Sequence, residues 1–207
     1  SGIFKCAAPA PWKISTTGLV GDQQGDVVHH GGPEKALHHY PREHCFSFMR
    51  ENKDLATALD VIPAFGENIS TTGMTEWDVC VGDIYRLGTT VLQVSQGRQP
   101  CWKLNETFQK SDMAVLVQTT GRTGWYYRVL EEGTVMPGDA FVMLARTRPD
   151  WPLARLIRLI YSRSLARDDL AAVADMQDLS QSWRDLAVRR LQSRRVEDWE
   201  TRLRGIE

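Results

Sequence analysis

Hydrophobic and polar residues follow one another in short runs along the first two thirds of the chain, a pattern typical of β-strands. Two such runs, Ile84–Leu87 and residues 91–94, are separated by a turn centred on Gly88. This short spacing favours an antiparallel hairpin over a helical crossover. Residues 79–81 and 135–144 combine strand-forming residues with Gly-Asp turns in the same way. The pattern predicts a mainly β domain, most simply an antiparallel barrel.

One helix is predicted inside this β region. Residues 37–52 are favourable for a helix, and Pro41 is tolerated only in a first turn. That restriction places the helix start near Tyr40. Phe46 and Met49 are three residues apart and are then expected to share its buried face.

The pattern changes to helical spacing after residue 148. Asp150 is a candidate cap with Pro152 in the first turn, and apolar residues then recur with the spacing of an amphipathic helix at Leu153, Leu156, Ile157 and Ile160. A second helix is expected over residues 168–175. A third is expected after the candidate cap Ser180, with an apolar face made of Trp183, Leu186, Ala187 and Leu191.

Two domains follow from this change of pattern. Residues 1–147 are predicted to form the β domain, and residues 148–207 a small bundle of three helices that bury their apolar faces together. The bundle either docks a partner protein or a second subunit, or simply covers one face of the barrel. The sequence does not separate these roles.

Composition narrows the class of protein. The 207 residues are 42% hydrophobic and 25% charged, as is usual for globular proteins. The net charge of −1 gives no general attraction to nucleic acid or to an anionic membrane. No apolar run reaches the roughly 20 residues that span a bilayer, and the first residues lack a signal-peptide pattern. We therefore expect a cytoplasmic protein without nucleic-acid or membrane partners.

One cysteine stands out from the others by its neighbours. Cys101 follows Pro100 and lies between Arg98 and Lys103, and nearby cations favour the thiolate, the form that binds metals or attacks electrophiles. The alternative is a buried cysteine that packs as a small apolar residue. That alternative is preferred for the remaining cysteines, which form no C-x-x-C motif and predict neither disulfides nor an iron–sulfur cluster: Cys6, Cys45 and Cys80.

Three further clusters contain candidate binding residues. Gly31 and Gly32 follow two histidines, and glycine turns can direct amide N–H groups at an anion; a plain Gly-Pro turn is the alternative. Asn68 can bind the edge of a heterocycle or serve in a turn. Arg122 lies in a Gly-bounded loop and either binds phosphate or is a solvated charge.

Zinc is a weaker hypothesis. The histidines at positions 38, 39 and 44 lack the i, i+4 pair of a metal-binding helix, and no H-E-x-x-H motif is present.

The motifs occur in an order that resembles a known family. They read HGGPEKAL at 30–37, YPREH at 40–44, FGEN at 65–68, VGD at 81–83, SQ at 95–96, PCWKLN at 100–105 and GRTGWY at 121–126. This series resembles the MOSC domain, named for the C-terminal domain of molybdenum-cofactor sulfurases, and in particular its YiiM-like branch. The tail is similar to the three-helix module of that branch. The family usually has further strand residues before segment 18–22, so part of the N-terminal strand is expected to be missing.

The resemblance implies a MOSC-type β-barrel with a few helices, followed by the three-helix bundle. It also implies that the barrel binds molybdopterin with molybdenum, that is, the molybdenum cofactor, with Cys101 as the metal ligand and catalytic residue. The residues expected to line the cofactor are His30, Gly31, Gly32, Lys35, Asn68, Arg98 and Arg122. Pyridoxal phosphate binding is a further association at the level of the family.

The activity implied by the resemblance is reduction of N-hydroxylated compounds to amines, including detoxification of hydroxylamino bases such as 6-hydroxylaminopurine. The chain has no G-x-G-x-x-G motif and no cluster-binding cysteines. Electrons are therefore expected from an external reductase, a flavoprotein, and a homodimer is also expected. Two alternatives remain: a sulfur carrier with a persulfide on Cys101, and a non-catalytic protein that binds or carries the cofactor.

Overall fold

A computed structural model describes residues 11–22 and 31–205. The strands in these residues are β1 Trp12–Ser15, β2 Gly18–Leu19, β3 Leu37–Pro41, β4 Ile69–Thr71, β5 Ile84–Leu87, β6 Thr90–Gly97, β7 Trp125–Glu131, β8 Gly133–Val135 and β9 Val142–Ala145. The α-helices are α1 Arg42–Glu51, α2 Ala56–Asp60, α3 Lys103–Thr107, α4 Met113–Thr120, α5 Leu153–Tyr161, α6 Arg167–Ala174, α7 Gln181–Ser193 and α8 Glu200–Arg204. Short 3-10 turns occupy Pro33–Lys35 and Lys53–Leu55.

The strands form two curled sheets. The larger has the order β4-β3-β7-β6-β5-β9, and the smaller has the order β2-β1-β8. Only β3 and β4 are parallel among these pairs, and β5 and β6 form the predicted hairpin. The sheets meet where the Thr89 N–H donates to the Thr134 carbonyl at 3.0 Å. The mainly β, half-barrel architecture with C-terminal helices confirms the predicted fold class.

The C-terminal helices pack against the larger sheet. Leu156 and Ile157 of α5 and Trp183 of α7 belong to the same buried core as Val94 and Trp125 of the sheet. The predicted apolar faces of both helices are therefore confirmed, and they cover one face of the half-barrel. No helix in the described residues is long and apolar enough to cross a membrane.

The predicted start of the first helix was wrong. Residues 37–41 form strand β3, because Leu37 and His39 pair with β7 on one side and His39 to Pro41 pair with β4 on the other. The helix begins only at Arg42, after Pro41. Its phase therefore differs from the predicted one, and the Phe46 side chain is 53% exposed instead of buried.

Two other local predictions, the Asp150 cap and the strand at 79–81, were also wrong. Asp150 does not cap α5; the first helical N–H groups, of Leu153 and Ala154, donate to the carbonyls of Val79 and Glu76 at 2.8 Å each. The segment 79–81 is buried but makes a single bridge, from Cys80 to Pro152, rather than a strand. Backbone partners from a neighbouring segment thus replace the predicted side-chain cap.

Candidate functional site

Cys101 lies in the loop between the end of β6 and the start of α3. Its relative exposure is 9%, and it is not in a disulfide. Cys45 and Cys80 are more deeply buried, at 0% and 2%. Burial raises the pKa of the Cys45 thiol to about 12 and also raises that of Cys80. These two thiols pack as apolar groups, as predicted; Cys6 lies outside the described residues.

Two arginines lie around the Cys101 loop, of which Arg98 is buried and Arg202 is half-buried. The backbone N–H of Arg98 donates to the Gly124 carbonyl at 3.0 Å, and its Nη1 donates to the Phe65 carbonyl at 3.1 Å. Arg202 of α8 donates to the Pro100 carbonyl, directly before Cys101. Burial lowers the pKa of Arg202, and the charges that oppose this effect include Cys101. Sequence reasoning identified Arg98 but missed Arg202.

Two tyrosines, Tyr126 and Tyr161, interact with Arg98. Burial raises the pKa of Tyr126, Arg98 opposes the rise and Cys101 adds to it, so Tyr126 lies within electrostatic range of both residues. The Tyr161 hydroxyl donates to the Arg98 carbonyl at 2.9 Å. Tyr126 lies within the motif at 121–126, but neither tyrosine was predicted as a site residue.

Asn68 is linked to the site by hydrogen bonds with His38 of β3. The His38 N–H donates to Asn68 Oδ1 at 3.0 Å, and the Asn68 N–H donates to the His38 carbonyl at 2.8 Å. Asn68 Nδ2 donates to Asp22 at 2.7 Å. The His38 ring lies 5.1 Å from the Tyr126 ring, measured between centroids. Asn68 therefore fixes the strand that carries His38, and its contact with a cofactor stays a prediction.

The glycine turn leaves space among the residues that the structure describes. Gly32 has φ 93°, and a Cβ added there meets no atom of residues 11–22 or 31–205 within 4 Å. The Lys35 N–H donates to the Gly32 carbonyl at 3.0 Å and closes the 3-10 turn that follows Gly31. His30 lies outside the described residues, so its predicted role cannot be placed.

The same turn is attached to the sheet next to Tyr126. Ser95 Oγ donates to the Glu34 carbonyl at 2.5 Å and to the Tyr126 carbonyl at 3.1 Å. Arg128 forms an ion pair with the Glu34 carboxylate. The turn with Gly31, Gly32 and Lys35 is thereby held beside the strand that carries Tyr126.

A buried carboxylate orders the loop that contacts Arg98. Glu67 accepts the N–H groups of Ala64 and Phe65, at 3.2 and 2.8 Å. Burial raises the pKa of the Glu67 carboxyl, while these donors and Arg98 lower it. The loop conformation directs the Phe65 carbonyl at the Arg98 guanidinium.

The Arg122 side chain binds α1 and is not part of the group around Cys101. Its guanidinium binds both Glu51 carboxylate oxygens, at 2.7 and 2.8 Å, and lies 5.0 Å from the centre of the Phe48 ring. Both partners belong to α1. The structure therefore does not bring Arg122 into the group around Cys101, and its predicted cofactor contact stays a prediction.

The residues present fit a molybdenum cofactor. Within residues 11–22 and 31–205, no three His, Cys, Asp or Glu side chains are grouped to hold a metal ion. A metal bound by Cys101 must therefore bring ligands of its own, as the two dithiolene sulfurs of the pterin would. Soft thiolate is a suitable partner for such a centre. The open turn at Gly32 and the arginines at 98 and 202 suit the anionic part of that cofactor.

Comparison with known proteins gives matches over nearly the whole chain. The sequence profile described as the MOSC domain matches residues 26–142, and that of the YiiM-like 3-alpha helix domain matches residues 151–194. Protein YiiM of Escherichia coli is 40% identical over 99% of this chain and 91% of its own length. The crystal structure of the same protein has a TM-score of 0.87, covering 96% of this chain and 94% of that one.

A fungal relative is larger. A protein of Gibberella moniliformis named "Reductase" is 37% identical over 93% of this chain, but the match covers 34% of that protein.

Proposed function

Because the chain belongs to the MOSC family, in its YiiM-like branch, we propose that it is a molybdenum-cofactor-dependent reductase of N-hydroxylated compounds. The observation that carries the proposal is the position of Cys101. Cys101 is 9% exposed and not in a disulfide, Arg202 donates to the carbonyl of the preceding Pro100, and Arg98 lies three residues earlier in the same segment. The relative named "Reductase" supports the class of reaction.

The protein's part is to hold the cofactor and orient the substrate. Cys101 supplies the thiolate ligand, and Arg98 and Arg202 offset the negative charge of the thiolate and the pterin sulfurs. The turn at Gly31, Gly32 and Lys35 binds the phosphate. When bound, the cofactor supplies a centre that can accept an oxygen atom and exchange two electrons.

The substrates are hydroxylamino compounds, including purine bases such as 6-hydroxylaminopurine. The N–O bond breaks, and R–NHOH with two electrons and two protons gives R–NH₂ and water. The rings of His38 and Tyr126, with centroids 5.1 Å apart and planes inclined by 37°, are the aromatic groups proposed to pack against the base. The electrons come from an external flavoprotein.

The first experiment measures metal and pterin. The protein is purified from a host that makes the cofactor, beside the variants Cys101→Ala and Cys80→Ala. Wild type and Cys80→Ala are expected to contain molybdenum, and Cys101→Ala to have lost it. Full retention of molybdenum by Cys101→Ala overturns the ligand assignment.

The second experiment measures activity with reduced methyl viologen as a small electron donor and 6-hydroxylaminopurine as substrate. Loaded wild type is expected to form the amine, and Cys101→Ala to form none. A loaded protein that reduces no hydroxylamino compound acts only as a cofactor carrier. A mass increase of one sulfur on wild type, absent from Cys101→Ala, indicates a persulfide carrier instead.

A further inference from the structure

A concave surface lies between α4, α5 and α8. It is a groove of about 800 Å³. The pair of His44 and Glu76, with Nε2 and Oε2 2.6 Å apart, lies in its lining. Trp77 is also part of the lining, and its side chain is 72% exposed. The Trp77 indole supplies apolar area that a bound partner would bury.

The charge of the groove is predominantly positive. Four arginines line it, against the two glutamates Glu76 and Glu200. Arg122 and Arg204 are paired with Glu51 and Glu200, whereas the exposed Arg158 and Arg163 form no ion pair with a described residue. Arg163 lies 4.9 Å from the centre of the Trp199 ring. The Arg158 side chain makes no hydrogen bond or ion pair with the part of the chain that the structure describes.

The groove and the surroundings of Cys101 share a wall. Tyr161 lines the groove, and its hydroxyl donates to the Arg98 carbonyl at 2.9 Å. Gln118 also lines the groove and accepts a hydrogen bond at 2.6 Å from Arg202, which donates as well to the Pro100 carbonyl. A molecule in the groove therefore contacts Tyr161 and Gln118. Their hydrogen-bond partners are the two arginines around the Cys101 loop.

We propose that this groove docks the acidic face of the flavoprotein that supplies electrons. The proposal rests on the proposed function and adds the place and charge of the partner. Trp, Tyr and Arg are the residues enriched at the centres of protein interfaces. Complementary charge speeds encounter and orients the partners, which suits a brief electron-transfer complex. The partner's reduced flavin is oxidised, and its two electrons with two protons from water reduce R–NHOH to R–NH₂ and water.

The test compares two charge-reversed double variants of the cofactor-loaded protein. One is Arg158→Glu with Arg163→Glu, in the groove. The control is Arg86→Glu with Arg189→Glu, which changes exposed arginines outside the groove and gives the same net charge. Each is assayed with reduced methyl viologen, which needs no docking, and with reduced flavodoxin, an acidic flavoprotein used as the probe. Two flavodoxin molecules each give one electron for one substrate molecule.

The groove variant is expected to keep wild-type turnover with methyl viologen and to raise KM for flavodoxin by about tenfold. The control is expected to change KM by about twofold or less. Raising the salt concentration should weaken the reaction with flavodoxin in wild type and the control more than in the groove variant. Equal effects in the two variants overturn the docking site.

Binding separates this proposal from the proposed function. Quenching of tryptophan fluorescence is measured while oxidised flavodoxin is added at low salt. Binding by wild type and the control, lost in the groove variant, supports docking even if no hydroxylamino compound is reduced. Absence of binding by wild type, or equal binding by all three proteins, overturns it. Failure with methyl viologen alone overturns only the proposed function.

Discussion

Arg190 and Glu197 form a two-point ion pair between α7 and the segment that leads to α8. Arg190 Nε donates to Glu197 Oε2 at 3.0 Å, and Nη2 donates to Oε1 at 2.7 Å. The Arg190 side chain is 1% exposed. Glu197 Oε1 also accepts the Trp199 indole N–H at 2.8 Å. This pair fixes the chain shortly before Arg202, the residue that contacts the Cys101 loop.

We expect Glu197→Ala to destabilise the protein strongly. The substitution leaves the guanidinium of Arg190 buried without its carboxylate, and such a loss costs about 3 kcal/mol in the free energy of unfolding. Urea denaturation at neutral pH measures it. Glu200→Ala is the control, because it breaks the exposed pair with Arg204 and should cost about 0.5 kcal/mol or less. Similar losses in both variants contradict the prediction.

The ion pair of Arg190 and Glu197 also predicts how the stability of the protein changes at acidic pH. Partial burial alone raises the pKa of Glu197, but the hydrogen bonds from Arg190 and Trp199 outweigh it and lower the pKa from 4.5 to about 2. Since the folded pKa is below the unfolded one, the stabilisation is complete above about pH 4.5 and is lost as the pH falls towards about 2. The stability difference between wild type and Glu197→Gln should therefore shrink from about pH 6 to about pH 3.

Urea denaturation of both proteins at the two pH values measures this change. A difference that stays constant, or that grows in acid, shows that Glu197 does not keep its charge through the pair.

Local periodicity predicted the parts of the fold that depend on neighbours in the sequence. The faces of α5 and α7 followed from apolar residues that recur every three or four positions, and Leu156 and Trp183 are buried accordingly. The hairpin of β5 and β6 followed from two strand patterns around one turn. Strand β3 was missed because its conformation comes from pairing with β7 and β4, which lie far away in the sequence.

In the candidate site too, residues that are close in the sequence were predicted and residues that are distant in the sequence were missed. Cys101 and Arg98 were identified because they are close together in one motif. Arg202 reaches the Pro100 carbonyl from 102 residues further along the chain, within a short helix that was not predicted. Tyr161 was not predicted to have a role, and its hydroxyl contact with the Arg98 carbonyl depends on how the tail packs against the sheet.

Arg202 is expected to be a positioning residue for cofactor binding. Arg202→Ala removes the donors to the Pro100 carbonyl and to Gln118, so the Cys101 loop loses one of its supports. Residues that orient a metal ligand in this way typically change metal affinity by about tenfold or more. Molybdenum per protein, measured after dialysis, should fall accordingly.

Two variants distinguish this role from a general loss of structure. Arg202→Lys keeps the charge and should restore part of the molybdenum content. Arg204→Ala changes an exposed arginine of the same helix and should leave it unchanged. Equal molybdenum content in wild type and Arg202→Ala rules out the positioning role.

Gly97, at the end of β6, sets how closely the tail approaches the sheet. A Cβ at this position lies 2.9 Å from Ile157 Cγ1 and 3.1 Å from Trp183 Cη2, closer than ordinary contacts. Gly97→Ala should therefore lower the free energy of unfolding by about 1–3 kcal/mol through overpacking. Without this contact, alanine in a strand would stabilise by about 0.5–1 kcal/mol.

A double-mutant cycle with Ile157→Val tests the contact itself. Ile157→Val removes the Cδ1 atom that lies 3.1 Å from the added Cβ, and alone it should cost about 1 kcal/mol. In the Gly97→Ala background the same change should cost less or even stabilise, because it relieves the overlap. The coupling energy, from thermal or urea denaturation of all four proteins, is expected to be about 1 kcal/mol. Additive effects would show that the tail moves away from the sheet freely, so that Gly97 does not set their separation.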